Sequence, residues 1–480
     1  MEQSRLVKYI GALSAKEKEK FHLFVHSPYF NKHDKTVQLL DVIEKWLERP
    51  NGTLDKPKVF KRLFPSDKYD EQRLHNVMSY LKKLYHSFLA YRRFEDTPFQ
   101  GQLLTIEAAY DSNQFDLMKN RGKLLEKDLN KHSCKDRHLY HTAFKLNKTM
   151  GYHGALYEDR SKPTLLQSMI DNLDRYYILE KLRHSCHIKA NVMMMNTAYK
   201  FHFLQELLDY IKGNWQEYEN DTPIVLYYTI FRSLEQEDDD PQPYKRLKYM
   251  LANEIPNLSK DEQGDLYSFA INYCIRRING GDREFQRELF QLYKQGLKAG
   301  LILDNGILSE WNYKNITALG CSLKEFEWTE NFIQTYKEKL LVERQENAYN
   351  YNLAHLYYNK KLYNEALSVL LLVQFTDVKY HLNTTFLLLR TYYALKDAEA
   401  LLALIETFRI YVMRNKKMTT EQKKGYTNFL RFAKKLVLLK HQAAAYTRSG
   451  LNEKLDHLHT KISGTRNVIN KFWLLEECRA

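Results

Sequence analysis

The chain has little glycine, proline and cysteine for its 480 residues. It contains 17 glycines, about half of the usual ~7%, and 10 prolines, so tight turns and helix breakers are few. Neither GxGxxG nor GxxxxGK[ST] occurs, and phosphate-binding loops of nucleotide enzymes depend on such clustered glycines. The two shortages favour helices and disfavour an α/β nucleotide-binding fold.

The chain also has too few cysteines for a disulfide-stabilised protein, and its apolar runs are too short for a membrane-spanning one. The densest apolar stretch, residues 366–375, is far shorter than the ~20 residues that cross a bilayer, and the first residues do not have the pattern of a secretion signal. An odd, scattered set of cysteines does not make a disulfide framework. We therefore expect a protein of a reducing cytoplasm without membrane insertion. The five cysteines are Cys134, Cys186, Cys274, Cys321 and Cys478.

Positive charge is present in excess and is unevenly distributed. The formal net charge is +14, and residues 1–95 hold 19 Lys and Arg against 12 Asp and Glu, which is half of the excess. A basic protein favours an acidic partner, whether nucleic acid, an anionic membrane surface or an acidic protein. The first fifth of the chain therefore reads as a separate basic helical module, residues 1–96.

Helical periodicity within this module predicts four helices. Ser14 has the position of an N-cap with Glu17 as its capping-box partner, so a helix begins there. Further helices are predicted over 34–49, 58–64 and 69–93. The last two, with the turn between them, resemble a helix-turn-helix whose Arg73, Asn76, Lys82 and Lys83 would face nucleic acid.

The rest of the chain continues in helical periods without sustained alternation typical of strands. An acidic cluster followed by two prolines, residues 235–243, marks a solvated loop and a boundary. We therefore predict an all-α protein with a helical array over 97–240 and a third region over 241–480. Within the helical array over 97–240, helices are expected over 114–130, 136–150, 163–182, 188–211 and 223–234.

Residues 350–367 carry a pattern of large and small residues. Leu353, Ala354 and Tyr357 occupy one predicted helix, and Tyr363 and Ala366 occupy the turn and the next helix. This segment resembles a tetratricopeptide repeat, in which small residues allow close approach of paired helices and larger ones fill the space between repeats.

A second, looser copy follows at the expected spacing. Leu388, Tyr392 and Ala400 lie 35, 35 and 34 residues after their counterparts, near the ~34-residue period of the family. The resemblance is clearest over 348–401, and it departs from the family at Lys361, where glycine is frequent. It implies a right-handed solenoid of helix pairs over 241–480, with the last helix around Phe472–Leu475 as a cap.

Two N-terminal segments carry a different resemblance. SPYFNK, beginning at Ser27, and KRLFPSDKYDEQRL, beginning at Lys61, are similar to a group of uncharacterised helical proteins common in Bacteroidetes bacteria. This resemblance implies a bacterial cytoplasmic setting and no particular activity.

Possible sites for chemistry are sparse. His132, Cys134, His138 and His141 fall within ten residues and could ligate zinc, but no CxxC pair occurs, and a chain with 17 histidines produces such clusters by chance. HExxH and GxSxG are also absent. We therefore expect no metal, no cofactor and no catalytic residue.

The sequence leads to two functional expectations. The first is a noncatalytic scaffold that binds a protein or peptide through first-helix residues of the best repeat, namely Asn350, Asn352 and His355, because consensus positions are buried. The second is a nucleic-acid-binding regulator that combines the basic N-terminal module with a helical-repeat sensor domain.

Overall fold

The computed structural model describes residues 1–49, 53–132, 134–157, 164–195, 199–235, 242–374 and 378–479. These residues form α helices joined by short connections, with three short 3₁₀ segments, and contain no strand beyond one isolated bridge between Asp304 and Ile307. The prediction of an all-α protein is confirmed.

The chain divides into two compact units, residues 1–227 and 228–480. The division at 227/228 falls within a helix. Residues 236–241 of the predicted acidic boundary loop, 235–243, lie outside the described residues, and its two ends lie in helices. The three regions predicted from the sequence, 1–96, 97–240 and 241–480, stay a prediction. The helices that begin in the first unit are α1 (Arg5–Gly11), α2 (Ala15–His26), α3 (Asp34–Glu48), α4 (Lys56–Leu63), α5 (Glu71–Asp96), α6 (Gln100–Asp111), α7 (Phe115–Lys131), α8 (Arg137–Tyr157), α9 (Thr164–Met195), α10 (Leu204–Gly213), α11 (Trp215–Tyr218) and α12 (Thr222–Glu235).

The helices of the second unit follow one another closely in the chain. Consecutive helices pack against each other as neighbours, and the two most extensive contacts join residues 345–359 to 363–370 and residues 260–279 to 285–298. They are α13 (Gln242–Asn253), α14 (Lys260–Asn279), α15 (Phe285–Lys298), α16 (Glu310–Ser322), α17 (Phe326–Tyr336), α18 (Gln345–Asn359), α19 (Tyr363–Leu370), α20 (Val378–Ala394), α21 (Ala398–Arg414), α22 (Thr420–His441), α23 (Arg448–Gly464) and α24 (Lys471–Arg479).

The N-terminal helices share a hydrophobic core. The capping box predicted at Ser14 and Glu17 is present, and α3, α4 and α5 agree with the predicted helices to within a few residues. Helix α1 was not predicted, because its apolar residues are too few for a clear period. Leu6, Val7 and Ile10 of that helix nevertheless join the same core as α2–α5.

The prediction for residues 163–211 was wrong in its helix boundaries. Instead of two helices that break near 183–187, α9 runs unbroken from Thr164 to Met195, and α10 is a separate short helix. The polar segment around Ser185 suggested a break in sequence, but Ser185 and Cys186 are buried, and Cys186 donates a hydrogen bond to the carbonyl of Tyr227 at 3.3 Å. Tertiary packing therefore overrides the local polarity.

Three helix pairs in the second unit turn in the same way. After α16, α18 and α20, a residue with positive φ closes the helix: Lys324 (62°), Lys361 (64°) and Lys396 (60°). At the middle one, the Leu362 amide donates to the Tyr357 carbonyl and the Lys361 amide to the Tyr358 carbonyl, which is the Schellman pattern. Glycine is the usual residue at this position, so the departure noted at Lys361 falls on the left-handed residue of the turn.

The C-terminal tail contains three helices, α22, α23 and α24. Trp473 and Leu474 of α24 are buried in a core with α22 and α23, whereas Phe472 is 62% exposed. Among the described residues, no helix has the length and apolar character needed to cross a bilayer.

Candidate functional site

A groove of about 820 Å³ lies beside the first helices of three consecutive pairs, α16, α18 and α20. It is called the α16/α18/α20 groove below. Its lining combines apolar, amide and charged side chains: Asp304, Asn305, Ile307, Leu308, Ser309, Glu310, Trp311, Lys314, Leu341, Arg344, Tyr351, Asn352, Val378, Tyr380, Asn383 and Lys417.

Glu310 connects the three helices at one end of the groove. Ser309 caps α16 by accepting the amide of Asn312, which places Glu310 in the first turn of α16. Its carboxylate accepts a hydrogen bond from the Tyr380 hydroxyl at 2.6 Å and forms an ion pair with Arg344 at 3.1 Å. The only carboxylate of α16 in the groove is thereby engaged within the protein.

Asn352 is a buried polar residue of the groove with an unpartnered side-chain oxygen. It is 2% exposed, and its side-chain amide donates to the Ala348 carbonyl at 2.7 Å, one turn back in α18. Its Oδ1 atom is buried without a hydrogen-bond partner. A buried acceptor without a partner costs about 1–3 kcal/mol, so this oxygen destabilises the fold locally.

His355 lies on the same side of α18, three residues beyond Asn352. Burial, together with the charges of Arg390 and Lys314, lowers the pKa of His355 to about 4. Its ring is therefore neutral at neutral pH, and its Nδ1 atom lies 3.4 Å from the Asn359 side-chain amide. His355 is accordingly a neutral polar group near two cations.

Buried tyrosine and exposed apolar side chains complete the groove. Tyr351 is 7% exposed, and burial raises its pKa to about 12, so the phenol is neutral. The Lys314 ammonium lies 5.5 Å from the centre of the Tyr351 ring. Trp311 and Leu341 are 52% and 50% exposed, so the groove offers apolar contact area beside positive charge.

The three partner-binding residues predicted from the sequence occupy different positions. Asn352 lines the groove, whereas Asn350 and His355 are half-buried and do not line it. The sequence did not identify Trp311, Tyr380 or Lys417, because they lie on elements far apart in the chain.

The predicted nucleic-acid contacts lie on α5. Arg73 forms an ion pair with Asp67 at 2.6 Å and stacks on the Phe64 ring at 3.9 Å, while the Asn76 side chain accepts a hydrogen bond from Gln72. Lys83 is exposed and Lys82 is half-buried. Two of the four residues therefore already have partners within the module.

The histidines of the predicted cluster near residue 134 contact different groups. The His132 ring contacts the Cys134 carbonyl at 3.0 Å, His138 receives a hydrogen bond from Arg137, and the His141 ring packs 5.0 Å from Tyr176. Ser133, between the first two, lies outside the described residues. Within the part of the chain that the structure describes, these four residues do not form a group with metal-ligand spacing.

Three buried cysteine thiols are unreactive. Burial raises the pKa of Cys274 and Cys478 to about 11 and that of Cys321 to about 12. Because the thiolate is the reactive form, these cysteines remain protonated and act as core residues.

A buried polar network in the first unit is also structural. Asp221 is 4% exposed and accepts hydrogen bonds from Tyr140 of α8 and, at 3.1 Å, from Arg175 of α9. Burial raises the pKa of both Asp221 and the Tyr140 phenol. The network joins two long helices to the start of α12.

No known family profile, curated protein or solved structure matches the chain.

Proposed function

We propose that the protein is a noncatalytic helical-repeat scaffold that binds a peptide segment of a partner protein in the α16/α18/α20 groove. The observation that carries the proposal is a groove that exposes the apolar side chains of Trp311 and Leu341 beside the lysines Lys314 and Lys417. A peptide can supply both an apolar side chain and a carboxylate, so it fits this combination of groups.

The repeated turn supports a tetratricopeptide-like arrangement of the second unit. The left-handed residues Lys324, Lys361 and Lys396 lie 37 and 35 residues apart, close to the ~34-residue period of the family. In the best repeat, Ala354 and Ala366 are fully buried, as close packing of α18 on α19 requires. Stacked helix pairs of this kind present their first helices side by side, which is where the groove lies.

The charges of the groove favour a peptide that carries a carboxylate. Glu310 is occupied by Arg344 and Tyr380, and the other charged side chains of the lining are one carboxylate, Asp304, and two ammonium groups, Lys314 and Lys417. We therefore expect the peptide to place an apolar side chain on Trp311 and an acidic group near Lys417.

The test is selection of peptides from a displayed random library with the full-length protein, followed by affinity measurement. Trp311→Ala and Lys417→Glu should each weaken the selected peptides by about tenfold or more, because each removes a central contact. Leu372→Ala is the matched control, since Leu372 is 64% exposed and does not line the groove. A library that yields no binder, or binders equally tight to all variants, would reject the proposal.

The alternative is a nucleic-acid-binding regulator, and one observation on α4 favours it. Lys58, Lys61 and Arg62 follow each other at i, i+3 and i+4 and are all exposed, so one side of this helix is basic. Basic charge gives nonspecific affinity for phosphates without sequence preference, so this observation supports contact with nucleic acid more than regulation.

A further inference from the structure

Two histidines of α2 and one aspartate of α3 come together on the surface of the N-terminal module. His22 and His26 are one helical turn apart, and their rings stack with centroids 3.8 Å apart. One ring nitrogen of each histidine and a carboxylate oxygen of Asp41 all lie within 4.8 Å of one another. Among the described residues, this is the group with the composition and spacing of metal ligands.

Hydrogen bonds orient both imidazole rings. The Nδ1 atom of His22 lies 2.8 Å from a carboxylate oxygen of Glu44, and the Nδ1 atom of His26 lies 2.8 Å from the His22 carbonyl oxygen. Both partners are acceptors, so each neutral ring carries its proton on Nδ1 and leaves Nε2 as the lone-pair donor. Metal-bound histidines in proteins are held in the same way, with the other ring nitrogen donating to a carboxylate or a backbone carbonyl.

The geometry points to a zinc site, and we propose that His22, His26 and Asp41 bind one Zn²⁺ ion, with Glu44 as the residue that positions His22. Two imidazole nitrogens and one carboxylate oxygen are a typical three-residue zinc set, with a water in the fourth position. Bonds of ~2.0–2.1 Å bring tetrahedral ligand atoms to about 3.3 Å from one another. The Nε2 atom of His26 is already 3.6 Å from a carboxylate oxygen of Asp41.

The ion would act as a link between two helices. His22 and His26 belong to α2, and Asp41 and Glu44 belong to α3, so binding joins neighbouring elements of one core. A ligand that binds only the folded state raises its stability by mass action. Zinc is therefore expected to raise the melting temperature of this module.

The experiment uses the full-length protein, stripped of metal, in competition with a chromophoric zinc chelator. We expect one zinc ion per chain at this site, with affinity lowered by at least tenfold in His22→Ala, His26→Ala and Asp41→Asn. Glu44→Gln should lower it by about 10–100-fold, as expected for a residue that orients a ligand. His86→Ala is the control, since His86 is an exposed histidine of the same module, and it should leave affinity unchanged.

Thermal melting of the same samples distinguishes a variant that no longer binds zinc from one that no longer folds. Each of the three ligand variants without zinc should melt close to the wild-type protein without zinc, because the three ligand side chains are partly exposed. Glu44→Gln is compared with its own zinc-free sample, because the Glu44 side chain is only 19% exposed. At a zinc concentration just above the wild-type dissociation constant, zinc should raise the melting temperature of wild type and His86→Ala, and should raise that of the ligand variants and Glu44→Gln much less. Binding that is absent in wild type, or equally tight in His22→Ala and wild type, would overturn the proposal.

Discussion

His355 is a residue whose charge state is set by its surroundings. In the folded chain its pKa is about 4, against ~6.5 for an unperturbed histidine, because burial and the nearby Arg390 and Lys314 disfavour the imidazolium. A depressed histidine pKa makes the folded state bind fewer protons than the unfolded state. The resulting loss of stability begins as pH falls below about 6.5 and is complete near pH 4.

We expect the wild-type protein to lose more stability between pH 7.5 and pH 5 than His355→Gln does. The linkage relation gives a difference of about 2 kcal/mol at pH 5, because glutamine does not titrate. Urea denaturation at the two pH values measures it. His457→Gln, which replaces an exposed histidine of the same unit, should behave like wild type, and equal pH sensitivity in His355→Gln and wild type would contradict the assignment.

Single residues were predictable from the sequence where their role is local. Ser14 and Glu17 were identified as a capping box because three residues of spacing suffice to place their hydrogen bonds. His22 and His26 have a recognisable i, i+4 spacing, but Asp41 joins them only through the packing of α3 on α2. The unpaired oxygen of Asn352 likewise depends on what surrounds α18.

The turn that ends α18 contains a residue with a strained backbone conformation. Lys361 adopts φ of 64°, a left-handed conformation that costs a residue with a side chain about 1–2 kcal/mol relative to right-handed backbone. Glycine does not have this cost, although its greater freedom in the unfolded chain offsets part of the gain.

We therefore expect Lys361→Gly to be more stable than Lys361→Ala by about 0.5–1 kcal/mol. The alanine variant is the matched control, because both substitutions remove the same exposed lysine side chain and only one retains Cβ. Urea denaturation of the two variants at neutral pH gives the difference. Equal stability would mean that the left-handed turn carries no strain at this position.

Helices were predicted well where apolar residues recur in a single stripe. Helix α3 was placed almost to the residue, whereas α9 was divided, because the polar residues at 183–187 interrupt its apparent stripe. The burial of Ser185 and Cys186, with the hydrogen bond from Cys186 to the Tyr227 carbonyl of α12, reveals why those polar residues stay within one helix. Element boundaries therefore follow from tertiary contacts as much as from local pattern.

At the scale of the whole molecule, composition was enough to predict the fold class. Scarcity of glycine and proline, with no alternating segments, indicated an all-α protein, and the described residues form helices and no strand. The groove could not be predicted in the same way. Trp311, Asn352 and Tyr380 come from three helices, and only their packing brings them to one lining.

Net charge is also a property of the whole chain, and it gives the last prediction. At +14 the protein should bind any nucleic acid at low salt through counterion release. If the scaffold proposal holds, this binding should not distinguish two unrelated duplexes and should fall steeply between 50 and 200 mM salt, as measured by fluorescence anisotropy.

Charge reversals in the two units separate bulk charge from a dedicated interface. Lys82→Glu with Lys83→Glu, and Lys424→Glu with Lys461→Glu, lower the net charge equally, and all but the half-buried Lys82 are exposed. Because nonspecific attraction depends on overall charge, both pairs should weaken binding by a similar factor. Loss confined to the first pair, together with a preference of about 10³ or more for one duplex, would instead identify the N-terminal module as a sequence-specific interface.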